Sequence, residues 1–530
     1  MKSAQTSRLL TYDEAAAFTP EQVMGLSEQV VGLNDRLNGL QQQLDWFRRQ
    51  IFGQKSEKRL PLSGEQLGLS DLFQTLPQKP LPGKAVAAHT RQPARRTQDE
   101  GETLPFFDRE RVPVEIIEIP NADLEGLSPD QYELIGYKDS FRLAQRPGSY
   151  VVLNYRRPLI KRLDTQRLSC PPAPVGVLDG SRADVSFLAG LMIDKCAYHM
   201  PLYRQHQKLL DAGFTVSRQW LTQLFNQGAA LLEPIYEAQL ASIRASRVIA
   251  MDETPIKAGQ AGAGKMKATY FWPVYGEGDE VCFPHFESRR HEHVQEALGL
   301  NLAQGAVLLT DGYAAYSEYA KKTDVTHAQC WTHCRRGFFD ARDAEPEAVA
   351  TALAYIGALY AVEEAIREQK LKGGKKQEYR ILHAKPVVER FFAWVSEQFE
   401  KQGLLPRNPL TRALNYARER RFGLEVYLTD PDVPIDTNHL ERTLRAIPMG
   451  RKSWLFCWTE LGAHQIGILQ SLIVTCRLHG LSPYDYLVDV LQRVGQHPAA
   501  DVAQLTPRHW ETHFAANPLR SDLSKFTNTQ

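Results

Sequence analysis

The sequence predicts a multidomain α/β protein, and three observations carry that prediction. An apolar seam spaced in threes and fours runs through the first 60 residues. Short apolar strands alternating with helices occupy residues 246–344. A long, charged helical stretch over 345–425 separates those strands from a further block of motifs at 426–460. The chain has 530 residues, 43% hydrophobic and 24% charged. At roughly 150 residues per domain that is about three domains, and the apolar share excludes wholesale disorder. Lys and Arg total 63 against 62 Asp and Glu, a net charge of +1. A globally basic nucleic-acid coat is thereby excluded, and local basic patches are left to carry any such contact. Seven scattered cysteines without regular spacing point to a reducing compartment, the cytoplasm. Residues 1–10 lack the apolar core of a signal peptide. The apolar stretch at 467–475 is far shorter than the ~20 residues that span a bilayer.

In residues 1–60, Val23, Leu26, Val30, Leu33, Leu37, Leu40, Leu44, Phe47 and Ile51 form the seam. A helix with one apolar seam needs something to cover it, so the pattern predicts a coiled coil and self-association as a homodimer or larger, with an ordinary amphipathic helix packed on its own domain as the alternative. Arg48, Arg49, Lys55, Lys58 and Arg59 follow, as a solvated basic end or a face for an acidic partner such as DNA. Residues 61–104, rich in Pro, Gly, Gln and charge, predict a linker. Residues 105–172 predict a small β-rich unit, because 114–119 and 149–155 alternate like strands. Arg156, Arg157, Lys161, Arg162 and Arg167 then form a basic run. Residues 173–245 read as helices. After 201–210, Asp211-Ala-Gly213 makes a turn and Ser217 caps a second helix through Phe225. Such a pair lays its second helix in a DNA groove, and it serves equally in ordinary helical packing.

Residues 246–344 carry the chemistry. A buried strand at 248–251 ends at Asp252. Strands at 268–275 and 281–286 follow, then a helix over 291–300 and a strand at 306–310 ending at Asp311-Gly312. Another helix and a strand at 326–329 complete the run. A three-stranded meander followed by alternating helix and strand is the order of a ribonuclease-H-like fold, in which the first and fourth strands are parallel neighbours. Asp252 and Asp311, 59 residues apart (311 minus 252), then stand side by side at strand ends. Two carboxylates so placed repel unless a cation lies between them. Oxygen ligands suit Mg2+ or Mn2+, and two such ions serve phosphoryl transfer. A third carboxylate, Glu441, sits on a helix returning to the sheet, with Arg445 on the same face one turn on. Residues 345–425 are a helical insertion, 426–460 complete the core, and 461–530 form a helical C-terminal region and tail. Taken singly, an Asp at a strand end is common. Taken together, the pattern serves a DNA nuclease or resolvase as well as an enzyme that also joins strands.

The motifs are more specific than the pattern. Met251-Asp252-Glu-Thr-Pro, Thr310-Asp311-Gly-Tyr-Ala-Ala-Tyr, Cys330-Trp-Thr-His333-Cys-Arg335-Arg336-Gly-Phe, Asn438-His-Leu-Glu441-Arg442 and Gly450-Arg451-Lys452-Ser-Trp-Leu-Phe resemble, in this order, the IS66 family of bacterial insertion-sequence transposases. The N-terminal Leu44-Asp-Trp-Phe-Arg-Arg-Gln-Ile-Phe-Gly, the segment Lys195 to Arg204 and the region from Leu469 to Leu491 are similar to the family too, so the resemblance covers nearly the whole chain. It implies an Asp-Asp-Glu DNA transposase. Asp252, Asp311 and Glu441 become its acidic triad, holding two Mg2+ or Mn2+ ions, with helices inserted between the second Asp and the Glu. The implied chemistry is hydrolysis at the terminal repeats of the element, then attack of the freed 3′-hydroxyl on target DNA. Small companion proteins of the element are implied partners, and the bacterial cytoplasm, at the nucleoid and without a membrane, is the implied location.

One departure stands out. The family's unit before the helical segment binds zinc through paired cysteines, whereas residues 105–172 here hold only Cys170. Four cysteine ligands cannot be assembled, so this unit is expected to fold without zinc and still to touch DNA through Arg156, Arg157, Lys161 and Arg162. His327, Cys330, His333 and Cys334 are mostly at helical spacing. Core packing is expected there rather than zinc, with His333 facing the acids. Arg335, Arg336, Arg442, Arg445, Arg451 and Lys452 are expected at DNA phosphates.

Overall fold

The structure, a computed structural model, describes Thr19 and residues 106–526 apart from 111, 126–127, 147, 263–264 and 401–405. The heptad seam at 23–51, the basic residues after it and the linker at 61–104 lie outside the described residues. The elements below belong to one unit, Leu104–Ala261 with Lys265–Gln530.

The chain first builds a four-stranded sheet from β1 (Val114–Glu118), β2 (Tyr132–Arg146), β3 (Ser149–Arg162) and β4 (Leu168–Ser169). β3 is its centre, parallel to β1 and antiparallel to β2 and β4. β2 is a strand that the alternation does not announce. Its residues are largely polar, and it is held by pairing with β3 along almost its whole length, across a turn where Gly148 takes φ +83°. All of the basic run but Arg167 lies inside β3 rather than after it. Side chains alternate along a strand, so Arg156 and Arg162 take one face and Arg157 and Lys161 the other.

Three helices follow: α1 (Val185–Cys196), α2 (Leu202–Asp211) and α3 (Arg218–Arg244). Ser217 caps α3, its hydroxyl accepting from the Trp220 amide at 3.1 Å. The helix does not stop near Phe225 but runs 27 residues. Leu232, Ile235, Tyr236, Leu240 and Ile243 keep the helical spacing and are buried. Their burial holds the helix through Pro234, which by itself breaks a helix.

The central sheet has the order β12-β11-β5-β8-β9. Its members are β5 (Val248–Met251), β8 (Val274–Gly276), β9 (Glu280–Cys282), β11 (Val307–Thr310) and β12 (Thr326–Gln329). β5, β11 and β12 run parallel, while β8 and β9 continue as an antiparallel meander. β6 (Thr254–Gly262), β7 (Lys265–Phe271) and β10 (His285–Phe286) form a separate three-stranded sheet. The strands expected at 268–275 and 281–286 are thus each divided between two sheets. The breaks fall at Pro273 and Pro284, which lack an N–H to donate to a ladder. Helices α4 (Glu292–Leu298) and α5 (Ala314–Thr323) connect the later strands.

After β12 come α6 (Trp331–Asp340), α7 (Pro346–Glu368), α8 (Gly373–His383), α9 (Lys385–Glu400), α10 (Pro409–Glu419) and α11 (Arg421–Thr429). Trp331, Phe338, Phe391 and Trp394 pack edge-on or tilted at their centre. Arg380 is fully buried and satisfied. It pairs with Glu363 at 2.7 Å and donates to the carbonyls of Tyr427 and Val433. By length and composition α7 is apolar enough to cross a membrane. Here Val349, Ala352, Ile356, Leu359 and Ile366 are buried in the helical cluster.

The chain then returns to the sheets through α12 (Asn438–Leu444) and α13 (Ala446–Trp454) and ends in α14 (Glu460–Leu478), α15 (Pro483–Arg493) and α16 (Pro507–His513). α14 is buried almost throughout. Between it, α3 and β9, Gln239 donates to the Val281 carbonyl at 2.9 Å and to Thr475 Oγ1 at 3.0 Å. The C-terminal Leu523 covers Val151, Leu153 and Tyr155 of β3, and the Tyr155 hydroxyl donates to Asp522 at 3.0 Å.

Candidate active site

β5 and β11 are buried apolar strands, as fits central parallel strands covered on both faces. Their register pairs Val248 with Val307 and Ala250 with Leu309, an offset of 59 residues (307 minus 248). That offset is the separation of Asp252 from Asp311, so both carboxylates leave the sheet at the same level. The Asp252 amide donates to the Pro273 carbonyl at 3.2 Å, which carries the sheet's hydrogen bonding one residue past β5.

A third acid joins them, and it is Glu253. Among the described residues, Asp252, Glu253 and Asp311 form the one set of three potential metal ligands whose donor atoms all lie within 4.8 Å of one another. Each is held by a hydrogen-bond donor. The Glu253 amide donates to Asp252 Oδ1 at 2.7 Å, and the Tyr313 amide donates to Asp311 Oδ1 at 2.9 Å. Glu253, with its side chain only 3% exposed, accepts from Arg289 Nε at 2.7 Å and from the Tyr316 hydroxyl at 2.6 Å. Arg289 also stacks on Tyr313, 4.2 Å from the ring centre. Burial, then the neighbouring Glu253 and Asp311 carboxylates, push Asp252 up to about 7. Burial likewise raises Glu253, outweighing the downward pull of Tyr316 and Arg289.

Glu441 lies outside this set. It comes to the site from α12, with Oε1 3.9 Å from His333 Nε2. Glu441 Oε1 and His333 Nδ1 are both buried without a hydrogen-bond partner. The two helices that present them are tied together. The Trp331 amide donates to the Ile435 carbonyl at 3.1 Å, and Thr437 donates to Cys330 Sγ at 3.3 Å from its amide and from its hydroxyl. Asp436 accepts from Tyr360 at 2.9 Å and from the Asn438 amide at 3.0 Å. α13 is in turn fastened to β6, because Arg451 donates to the Pro255 carbonyl and the Cys457 amide to the Lys257 carbonyl at 2.8 Å. His327 reaches Thr310 Oγ1 at 2.8 Å, and Cys334 is buried. All seven cysteines are free.

The basic residues divide into two groups. Arg335, Arg336, Arg442, Arg445 and Lys452 are exposed on the helices that carry His333 and Glu441 or just beyond them, and none forms an ion pair among the described residues. Arg420 adds a cation beside Asp311, donating to the Gly312 carbonyl at 3.0 Å. In the small β unit the basic run is engaged locally. Arg156 faces Asp139 at 3.7 Å, Arg157 donates to the Pro171 carbonyl at 3.1 Å, and Arg162 pairs with Asp164 at 2.8 Å. Lys161 is half-buried. These four do not form one patch, since the strand divides them between its faces.

Glu253, Arg289, Tyr313 and Tyr316 were not foreseen. Neighbouring residues in a strand point apart, which argues against Asp252 and Glu253 sharing a site. Both, however, sit past the end of β5, in the short link to β6, where alternation no longer holds.

Over more than half its length the chain matches a transposase family. The Transposase IS66 family matches residues 180–465, the IS66 C-terminal element residues 471–508, and the Transposase C of IS166 homeodomain residues 39–112. The chain belongs to the IS66 transposase family. Curated relatives include three uncharacterized proteins of Sinorhizobium fredii. Protein y4hP is 26% identical over 494 residues, 88% of each chain. Protein y4jD is 27% identical over 493 residues, 88% of this chain and 93% of its own. Protein y4qI is 28% identical over 408 residues, 74% of each.

Proposed function

We propose that this chain is a divalent-metal-dependent DNA transposase whose acidic triad is Asp252, Asp311 and Glu441, with Glu253 as a fourth carboxylate. The observation that carries this is the parallel pairing of β5 and β11, whose offset sets Asp252 and Asp311 at one level. The order of the five-stranded sheet, with its meander at one edge and parallel strands at the other, supports a ribonuclease-H-like core.

The residues fit a pair of Mg2+ or Mn2+ ions. All the donors are carboxylate oxygens, Asp252 is raised by burial and then by its acidic neighbours, and Glu441 Oε1 is buried without a partner. Asp252, Asp311 and Glu441 would hold the ions, which when bound supply charge stabilisation to the attacking and leaving oxygens of a phosphodiester. The chain's own groups do the positioning. The Glu253 and Tyr313 amides orient the two aspartates, Arg289 and Tyr316 fix Glu253, and the exposed cations of α6, α12 and α13 meet the DNA backbone. In the first reaction water attacks phosphorus and the P–O3′ bond breaks, releasing a 3′-hydroxyl. In the second that hydroxyl attacks a target phosphodiester, forming one P–O bond as another breaks.

The test is strand transfer with the element's own end sequences in Mg2+ or Mn2+, for wild type and Asp311→Asn. Joined products from wild type alone support the proposal. Cleavage without joining assigns the chain to nuclease or resolvase chemistry instead.

A further inference from the structure

Against β5 and β11 of the central sheet lies a cavity of about 770 Å3, within the roughly 300–1,000 Å3 typical of small-ligand sites. Val248 and Ala250 of β5 and Leu309 of β11 line it. Asp252 and Asp311 follow directly after the C-terminal ends of these two strands. A second wall is aromatic. Tyr275 meets His439 edge to face at 4.7 Å, and His439 stands two residues before Glu441.

The remaining wall comes from the inserted helices, where the turn from α7 to α8 brings Lys370, Lys372 and Lys376 into the lining. The acids in the lining have partners of their own. Glu277 and Asp432 face Arg247 at 3.9 and 2.7 Å, Asp279 accepts from the Tyr275 hydroxyl at 2.6 Å, and Glu363 pairs with Arg380 at 2.7 Å. The three lysines form no ion pair among the described residues, so their ammonium groups have no fixed partner and stand available to an anion. Burial lowers the Lys376 ammonium from its ordinary pKa, a strain that a bound anion relieves.

An apolar floor, an aromatic wall and free ammonium groups are the complement of a base joined to a phosphate. We infer that this cavity binds one unpaired nucleotide, base against β5 and β11 and phosphate toward Lys370, Lys372 and Lys376. The same chemistry is offered by a strand end of DNA and by a free nucleotide. The strand end is the source that follows from the proposed DNA-cutting function, and only this choice of source rests on that proposal.

The test is metal-free binding by the full chain, read by the fluorescence of 2-aminopurine. Three probes are used: a duplex with one unpaired 2-aminopurine nucleotide at its end, the same duplex fully paired, and 2-aminopurine deoxynucleoside monophosphate alone. The inference expects a fluorescence change with the unpaired end. It also expects binding of that end to weaken by about 10-fold or more in the Lys372→Gln/Lys376→Gln double variant, with affinity for the paired duplex and Tm unchanged. A response to the free nucleotide but not to the unpaired end keeps the site and assigns it to a free ligand. Equal binding by wild type and the double variant, or no fluorescence change with any probe, overturns the inference. No cutting is required, so a protein that fails to cut DNA can still pass this test, and one that cuts can still fail it.

Discussion

At the scale of single residues, the acid cluster has a cost that metal binding would offset. A carboxyl whose pKa rises on folding contributes stability below its unfolded value, and that contribution is lost as the pH rises through the folded value. For Asp252 the window runs from its ordinary 3.8 to about 7, so at pH 8 without metal its charge opposes folding. Asp252→Asn is therefore expected to raise Tm by about 1–3 °C in chelator while abolishing cleavage. Added Mg2+ is expected to raise the Tm of wild type and to leave the variant nearly unmoved. Thermal melts with and without metal check this, and a lower Tm for the variant in chelator contradicts it. The two glutamates differ in the same way that their surroundings differ. Glu441 has a buried oxygen without a partner, and Glu253 is already bound by Arg289 and Tyr316. Glu441→Gln is expected to lower cleavage by about 100-fold or more. Glu253→Gln is expected to lower it by about 10- to 100-fold, as for a group that orients its neighbours. Single-turnover cleavage rates decide the order, and the reverse order exchanges their roles.

At the scale of elements, close packing overrides intrinsic preference, and one glycine makes this measurable. Gly467 is inside α14, where alanine is the better helix former by ~1 kcal/mol. A Cβ at this position would strike the backbone carbonyl of Phe283, between β9 and β10, which cannot turn aside as a side chain can. Gly467→Ala is expected to destabilise by about 1–3 kcal/mol despite its better propensity. Urea denaturation checks the sign, and a stabilised variant would show that α14 can shift. The same contest explains what could be read in advance. β5, β11 and β12 were legible, the first two as short runs of buried apolar residues ending at an aspartate. The meander was legible in its order but not in its bounds, since Pro273 and Pro284 pass the chain between sheets without disturbing the apolar pattern. β2 was not legible, because the long partner β3 holds it rather than any periodicity of its own. The full length of α3 was hidden by Pro234. Of the site, the aspartate pair followed from strand order. Glu253 did not, because its approach depends on the short link between β5 and β6, where strand alternation lapses.

At the scale of the whole molecule, buried histidines couple stability to pH. Burial lowers both His285, in the three-stranded sheet, and His327, in β12, from 6.5 to about 4. A histidine lowered on folding contributes stability above its unfolded value, and that contribution is lost as the pH falls through the folded one. Stability is therefore expected to decline from about pH 6.5 toward pH 4. Asp252 titrates with the opposite sign over part of this range, so the cleaner measurement uses Asp252→Asn. On that background His285→Gln is expected to flatten the decline in Tm, and an unchanged slope would assign the decline to other groups.

Assembly belongs to this scale too, and the argument for it comes from the heptad seam. Nine apolar side chains from Val23 to Ile51 occupy one line on the predicted helix. Burying a Leu or Ile side chain is worth about 1.5–3 kcal/mol, so a seam of this length favours pairing strongly, and a second copy of the chain supplies an identical seam. A charge at its centre, by contrast, would be buried without a partner at a cost of several kcal/mol. Deleting residues 1–52 and substituting Leu37→Asp are therefore expected to have the same effect, a fall in the mass measured by light scattering. The pair of variants matters because a deletion removes the basic residues Arg48 and Arg49 along with the seam, whereas Leu37→Asp removes only the apolar match. A fall in both assigns self-association to the seam. A fall in the deletion alone assigns it to residues 1–52 without the centre of the seam, and an unchanged mass in both places the contact between copies elsewhere on the chain.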